Sequence, residues 1–76
     1  MHNLTASYRE LTRDLDSAYD DYKAAQETLR HVTPNTLEAR NAALELLATK
    51  KLYMELSARH SVMKHHMAMA EEAAQS

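Results

Sequence analysis

The sequence predicts an all-α fold: a single domain over residues 1–76, forming an antiparallel two-helix hairpin with coiled-coil-like packing. Three observations favour this fold. The chain has no Gly, so it lacks the residue that most easily adopts the positive φ angles of tight hairpin turns in sheets. Its one Pro, Pro34, divides it into two segments. Both segments carry apolar residues at the spacing of an amphipathic helix.

The first segment predicts a helix over about residues 4–32. Its apolar residues follow an unbroken 4-3-4-3 spacing, which averages about 3.5 residues and places them all on one stripe. Asn3 is one candidate N-cap, and Ser7 with Glu10 forms a capping-box pattern as the other. A helix with one apolar stripe must bury that stripe, so we expect it to form the seam of the hairpin. The stripe consists of Leu4, Tyr8, Leu11, Leu15, Ala18, Tyr22, Ala25, Leu29 and Val32.

The turn is predicted at residues 33–36. Pro34 cannot continue a helix and disfavours the α conformation at Thr33. The second helix can begin with Thr33 as N-cap and Pro34 at its first position, or with Asn35 as N-cap and Glu38 three residues later. A connection this short makes the two helices antiparallel neighbours.

The charge pattern agrees with an antiparallel register. If the turn centres near residues 34–35, an acidic stretch of helix 1 faces residues 48–55, which include Lys50 and Lys51. Exposed ion pairs contribute only about 0–1 kcal/mol each, so they would adjust the register without holding the fold. The acidic residues are Asp14, Asp16, Asp20 and Asp21.

The second segment predicts a longer helix over about residues 37–70, followed by a frayed tail at 71–76 that has no facing partner. This helix has two apolar stripes on different faces, and helix 1 can cover only one. We assign the more regularly spaced stripe to the seam. It comprises Ala39, Ala42, Leu46, Thr49, Tyr53, Leu56, His60, Met63 and Met67.

The other stripe of helix 2 is expected to remain exposed in an isolated hairpin. A contiguous exposed apolar face is typical of a protein-interaction site, so we expect a partner protein or a second copy of the chain to complete the hairpin. The predicted partner-binding residues are Leu44, Leu47, Met54, Ala58, Val62 and Met69, with Leu37 at the start of the same stripe.

Composition and charge argue against several classes of function. The chain has no Cys and a net charge of −2, which leaves no thiolate chemistry and no basic footprint for nucleic acid. No apolar run reaches the roughly 20 residues of a membrane span, and the N-terminus lacks the pattern of a secretory signal. We therefore expect a cytoplasmic protein.

No residue pattern predicts a cofactor, a metal or a catalytic site. No two of His60, His65 and His66 are spaced three or four residues apart, as paired ligands on a helix require. The interleaved Met63, Met67 and Met69 are typical of adaptable interfaces. The acidic residues of helix 1 lie on a continuous helix that cannot wrap a cation. Because a two-helix hairpin also offers no cleft for a catalytic triad, we expect that the protein is not an enzyme.

The second helix contains the pattern Asn41-Ala-Ala-Leu-Glu-Leu-Leu-Ala, followed by Leu52-Tyr53. With the short length and the helix–break–helix layout, residues 4–64 resemble the small co-chaperones of type III secretion needle subunits, the YscE/EscE group. The resemblance implies a virulence-associated protein-transport role. Such a chain pairs with a larger helical-repeat chaperone, and together they keep the needle subunit unpolymerised in the cytosol before export.

Two other functions stay open from the residues alone. Two hairpins could form a structural homodimer, a four-helix bundle that buries the same stripe about a two-fold axis. The chain could also be a needle-type export substrate that polymerises, because needle subunits are helical hairpins of similar size with a Pro-containing turn.

Overall fold

The computed structural model confirms the all-α hairpin. It describes the backbone of residues 4–75 and the side chains of residues 5–74. Helix α1 spans Leu4–His31 and helix α2 spans Leu37–Gln75. The two helices pack side by side in an antiparallel arrangement, giving a rod of 60 × 18 × 15 Å. The length of the rod is that of α2 itself, since 39 residues at about 1.5 Å each span nearly 60 Å.

The turn between the helices is built from two polar residues. Asn35 adopts a left-handed conformation with a φ of 64°. Gly adopts this conformation most easily, but the chain has no Gly, and Asn tolerates it better than most other residues. Thr36 is the N-cap of α2, because its Oγ1 accepts a hydrogen bond of 3.1 Å from the backbone N–H of Ala39. The two predicted N-caps, Thr33 and Asn35, are therefore wrong. Thr33 instead accepts a 2.7 Å hydrogen bond from the Thr36 hydroxyl at its carbonyl oxygen.

The ends of the helices differ from the predicted bounds. Helix α1 ends at His31, one residue before the predicted end. Helix α2 continues to Gln75, so the end predicted at residue 70 is too early. The final segment is rich in Ala and Glu, which favour helix, and it contains no Gly or Pro to stop it. It also has a neighbour, because Thr5 of α1 lines a shallow groove with Glu71 and Ala74. Asn3 and Ser76 lie outside the described residues.

The predicted charge pairing between the helices does not form. Among residues 5–74, the contacts of acidic with basic side chains lie within α1, where Glu27 forms an ion pair with Arg30 at 3.6 Å and a hydrogen bond with His31 at 2.7 Å. The acidic stretch of α1 and the two Lys side chains of α2 are all exposed. Such side chains gain little from an ordered ion pair in water, so the apolar seam carries the register.

Candidate protein-interaction surface

The seam between the helices is built around small residues. Ala18, Ala25 and Ala42 are its most deeply buried members, at 3%, 4% and 5% exposure. Side chains this small allow the two backbones to approach closely. The larger predicted seam residues lie around these contact points and are half-buried, and the side chain of Leu4 lies outside the described residues. The half-buried seam residues are Tyr8, Leu11, Leu15, Tyr22, Leu29, Val32, Leu46, Tyr53, Leu56 and Met63.

Three tyrosines form an aromatic cluster across the middle of the seam. Tyr53 of α2 lies against Tyr22 with ring centroids 5.7 Å apart and against Tyr19 at 5.3 Å. Lys23 Nζ lies 5.4 Å from the centroid of the Tyr19 ring. Tyr19 is absent from the predicted seam because it lies one position off the 4-3 stripe. Its position three residues before Tyr22 was the signal that could have found it.

A polar contact joins the two helices near the free end of the hairpin. The ring of His60 stacks on Tyr8 at a centroid distance of 4.8 Å, and its Nε2 lies 3.0 Å from Thr12 Oγ1. The Thr12 hydroxyl donates to the carbonyl oxygen of Tyr8 at 2.9 Å. Because that hydroxyl has only one hydrogen, the Nε2–H of His60 donates to Thr12. His60 therefore has a structural role in the seam.

The opposite side of α2 carries a second apolar stripe that α1 does not cover. We call this stripe the outer face. The large residues of this face are all more than half exposed. Ala58, the small residue of the same stripe, is exposed as well. The outer face consists of Leu37 (71% exposed), Leu44 (56%), Leu47 (63%), Met54 (59%), Ala58, Val62 (57%) and Met69 (55%).

Two charged residues lie in the middle of the outer face. Lys51 follows Leu47 by four residues and Leu44 by seven, which places it on the same stripe of the helix. Glu55 is one helical turn further along and precedes Val62 by seven residues. Both side chains are exposed. The apolar periodicity does not identify these two residues. They lie at the centre of the outer face, with Met54 between them and apolar stretches of similar length on either side.

The structure brings no metal-binding cluster together in the part of the chain that it describes. No group of three or more His, Cys, Asp or Glu side chains there is positioned to hold a metal ion. His65 and His66 are exposed neighbours with ring centroids 6.4 Å apart. Met63 and Met67 lie on the side of α2 that faces α1, whereas Met69 lies on the outer face, so the Met residues are divided between the two faces of α2.

The grooves along the hairpin are open and shallow. One of them, with a volume of about 620 Å³, runs beside Leu29 and Leu46 and is bordered by Lys23, Glu27 and Arg30. The outer face of α2 is the more extensive apolar feature, and a flat apolar stripe suits a helix or another protein surface better than a small molecule.

No protein-family model, no curated protein and no solved structure matches this chain. Neither helix, over the residues described, has an apolar stretch long enough to cross a membrane.

Proposed function

We propose that this chain is a non-enzymatic protein-binding module that docks through the outer face of α2. The observation that carries the proposal is the exposure of that face. Its large residues from Leu37 to Met69 are all more than half exposed, and the stripe runs along a helix about 48 Å in length over this span. Monomeric soluble proteins rarely leave an apolar stripe of this extent in water, so an interaction site is the economical explanation.

We further propose a cytoplasmic co-chaperone as the specific role. The resemblance to the needle-subunit co-chaperones supports this role, and the hairpin architecture agrees with it. In this role the outer face would bind a helical-repeat chaperone or the needle subunit itself. An amphipathic helix binds such a surface by laying its apolar stripe into a groove. Binding would keep the subunit unpolymerised until export.

An affinity-tagged chain expressed in its native host tests this function. Proteins that co-purify with the unchanged chain are identified by mass spectrometry and compared with those captured by Leu47→Glu with Met54→Glu. A matched control, Ser17→Glu with Ala24→Glu, adds two carboxylates at exposed positions of α1. Burying the two outer-face carboxylates in an interface would leave them unpaired, so we expect the outer-face variant alone to lose its partner.

The identity of the captured proteins distinguishes the general proposal, a protein-binding module, from the specific one, a co-chaperone. A needle subunit or its chaperone, captured by the unchanged chain and the control only, supports the co-chaperone role. Unrelated proteins captured in the same pattern contradict that role and support the binding module. Equal capture by all three chains would show that the outer face takes no part in binding.

A further inference from the structure

We infer that, in the absence of another protein, a second copy of this chain occupies the outer face, with the two α2 helices antiparallel about a two-fold axis at the level of Tyr53. This inference rests on the proposed function only in using the same outer face. The occupant is identified by the order of residues along that face, in which three pairs of positions are self-complementary.

The self-complementarity lies in pairs of residues placed symmetrically about position 53. An antiparallel copy centred there sets Lys51 of one chain opposite Glu55 of the other, and the symmetry produces this pair twice. The same register sets Leu44 opposite Val62, and Leu37 opposite Met69. All six side chains are exposed in the hairpin. An isologous interface requires this arrangement, in which residue i meets residue j and j meets i.

The charges of the two helices favour contact through α2. Helix α2 carries five Lys or Arg and five Asp or Glu, whereas α1 carries four of the former and six of the latter. Two copies that meet through α2 therefore bring together helices with no net charge and leave the more acidic α1 in water. Complementary charges at the centre also fix the register, because a shifted alignment would set Lys51 opposite apolar residues.

The extent of the outer face is sufficient for a weak dimer. A stripe about 48 Å long and one helix, roughly 10–12 Å, wide covers about 500–600 Å² on each copy. The total of roughly 1,100 Å² lies near the lower end of the range of about 1,200–2,000 Å² for specific interfaces. A dissociation constant in the micromolar range is expected, so a tighter partner could displace the second copy.

Charge reversal at the centre of the face tests the inference on the purified chain. Sedimentation equilibrium of the unchanged chain should show a monomer–dimer equilibrium that stops at two copies. Lys51→Glu gives a chain with Glu at both positions, and Glu55→Lys gives one with Lys at both. Each alone should dimerise about 100-fold more weakly or worse, because like charges then face each other. Mixing the two variants should restore a one-to-one heterodimer, and circular dichroism checks that each remains helical.

Single Cys residues test the antiparallel register, since the chain has no Cys of its own. Under oxidation, a mixture of Leu44→Cys and Val62→Cys should form the mixed disulfide-linked dimer. Leu44→Cys alone should not cross-link, because its two copies lie far apart in this arrangement. Cross-linking of Leu44→Cys with itself would indicate a parallel pair and contradict the inference.

Three further results would overturn the inference: a monomer at near-millimolar concentration, assemblies larger than two copies, or no recovery on mixing the charge variants. None of these results bears on proteins captured from the host. Conversely, a purified dimer with the predicted mixing behaviour supports the inference even if the host provides no partner.

Discussion

The two faces of α2 are built from the same kinds of residue but have different surroundings. Leu46 and Leu47 are neighbours in sequence, yet Leu46 is half-buried toward α1 and Leu47 is 63% exposed on the outer face. The difference is that α1 has one apolar stripe and can therefore cover only one side of α2. An apolar stripe thus indicates that a helix packs against another surface. Whether the same chain supplies that surface depends on the other helices it contains.

The largest expected effect comes from placing a charge in the seam. Ala25→Glu would bury an unpaired carboxylate at a position that is 4% exposed, at a cost of about 3–5 kcal/mol. A chain of this size has only about 4–11 kcal/mol of total stability, so the variant should unfold at a much lower urea concentration than the unchanged chain, as followed by circular dichroism at 25 °C. Ala24→Glu, at the adjacent exposed position, is the control and should remain helical. Similar behaviour of the two variants would mean that the seam does not hold the hairpin.

A smaller effect is expected from the matched pair Leu46→Ala and Leu47→Ala. Because Leu46 is only half-buried, its truncation should cost about 1–3 kcal/mol, below the range for a fully buried Leu. Leu47→Ala should cost less than about 0.5 kcal/mol, since the residue is already largely in water. Urea unfolding of dilute chains, where association is absent, measures both. A greater loss for Leu47→Ala would mean that the two faces of α2 are assigned the wrong way round.

The polar contact at the free end of the hairpin should contribute less than the apolar seam. Thr12→Val keeps the shape of the side chain and removes the acceptor for His60, at a cost of about 1 kcal/mol. Thr28→Val is a suitable control, because Thr28 is exposed and its hydroxyl donates only to the carbonyl oxygen of Ala24, at 3.0 Å. Thermal unfolding compares the two variants, and an equal loss would show that the contact between Thr12 and His60 adds no stability.

Much of the fold follows from the periodicity of the sequence. The 4-3 spacing of helix 1 and the position of Pro34 are sufficient to predict two antiparallel helices. The capping of α2 by Thr36 was missed because Thr33, Asn35 and Thr36 all carry side chains suited to an N-cap, and the backbone geometry of Asn35 selects among them. Tyr19 was missed because an aromatic ring can reach the seam from a position beside the stripe.

The candidate surface could be predicted less completely than the fold. The spacing of apolar residues locates the outer face, and the structure places its large side chains more than half exposed. Periodicity carries no information about what covers such a face, because any apolar partner would satisfy it. In the dimer proposed above, the information about the partner lies in Lys51 and Glu55, which interrupt the apolar pattern. Their binding roles stay predictions.

The smallest expected effect concerns pH. The hydrogen bond from His31, followed by the charge of Arg30, lowers the pKa of Glu27 below its ordinary value. A carboxyl group with a lowered folded-state pKa contributes stability above its unfolded-state pKa, and this contribution is lost as the pH falls through the folded-state value. Glu27→Gln should therefore make the melting temperature slightly less sensitive to acid.

Melting curves between neutral and acidic pH, at low and high salt, measure this effect. The control is Glu10→Gln, since Glu10 forms no ion pair with any described residue. Glu27 is exposed, so the effect should shrink at high salt. An unchanged acid dependence in Glu27→Gln at low salt would show that the interaction with His31 does not contribute to stability.

The most direct test of the two-faced helix is the rate at which single Cys residues at positions 46 and 47 react with a thiol reagent. In the dilute free chain, Leu47→Cys should react at nearly the rate of an unfolded peptide, whereas Leu46→Cys should react many-fold more slowly. In the associated chain, the reaction of Leu47→Cys should slow as well, because the outer face is then covered. Slow reaction of Leu47→Cys in the dilute monomer, or unchanged fast reaction after association, would contradict an outer face that is open in the free chain and covered by its partner.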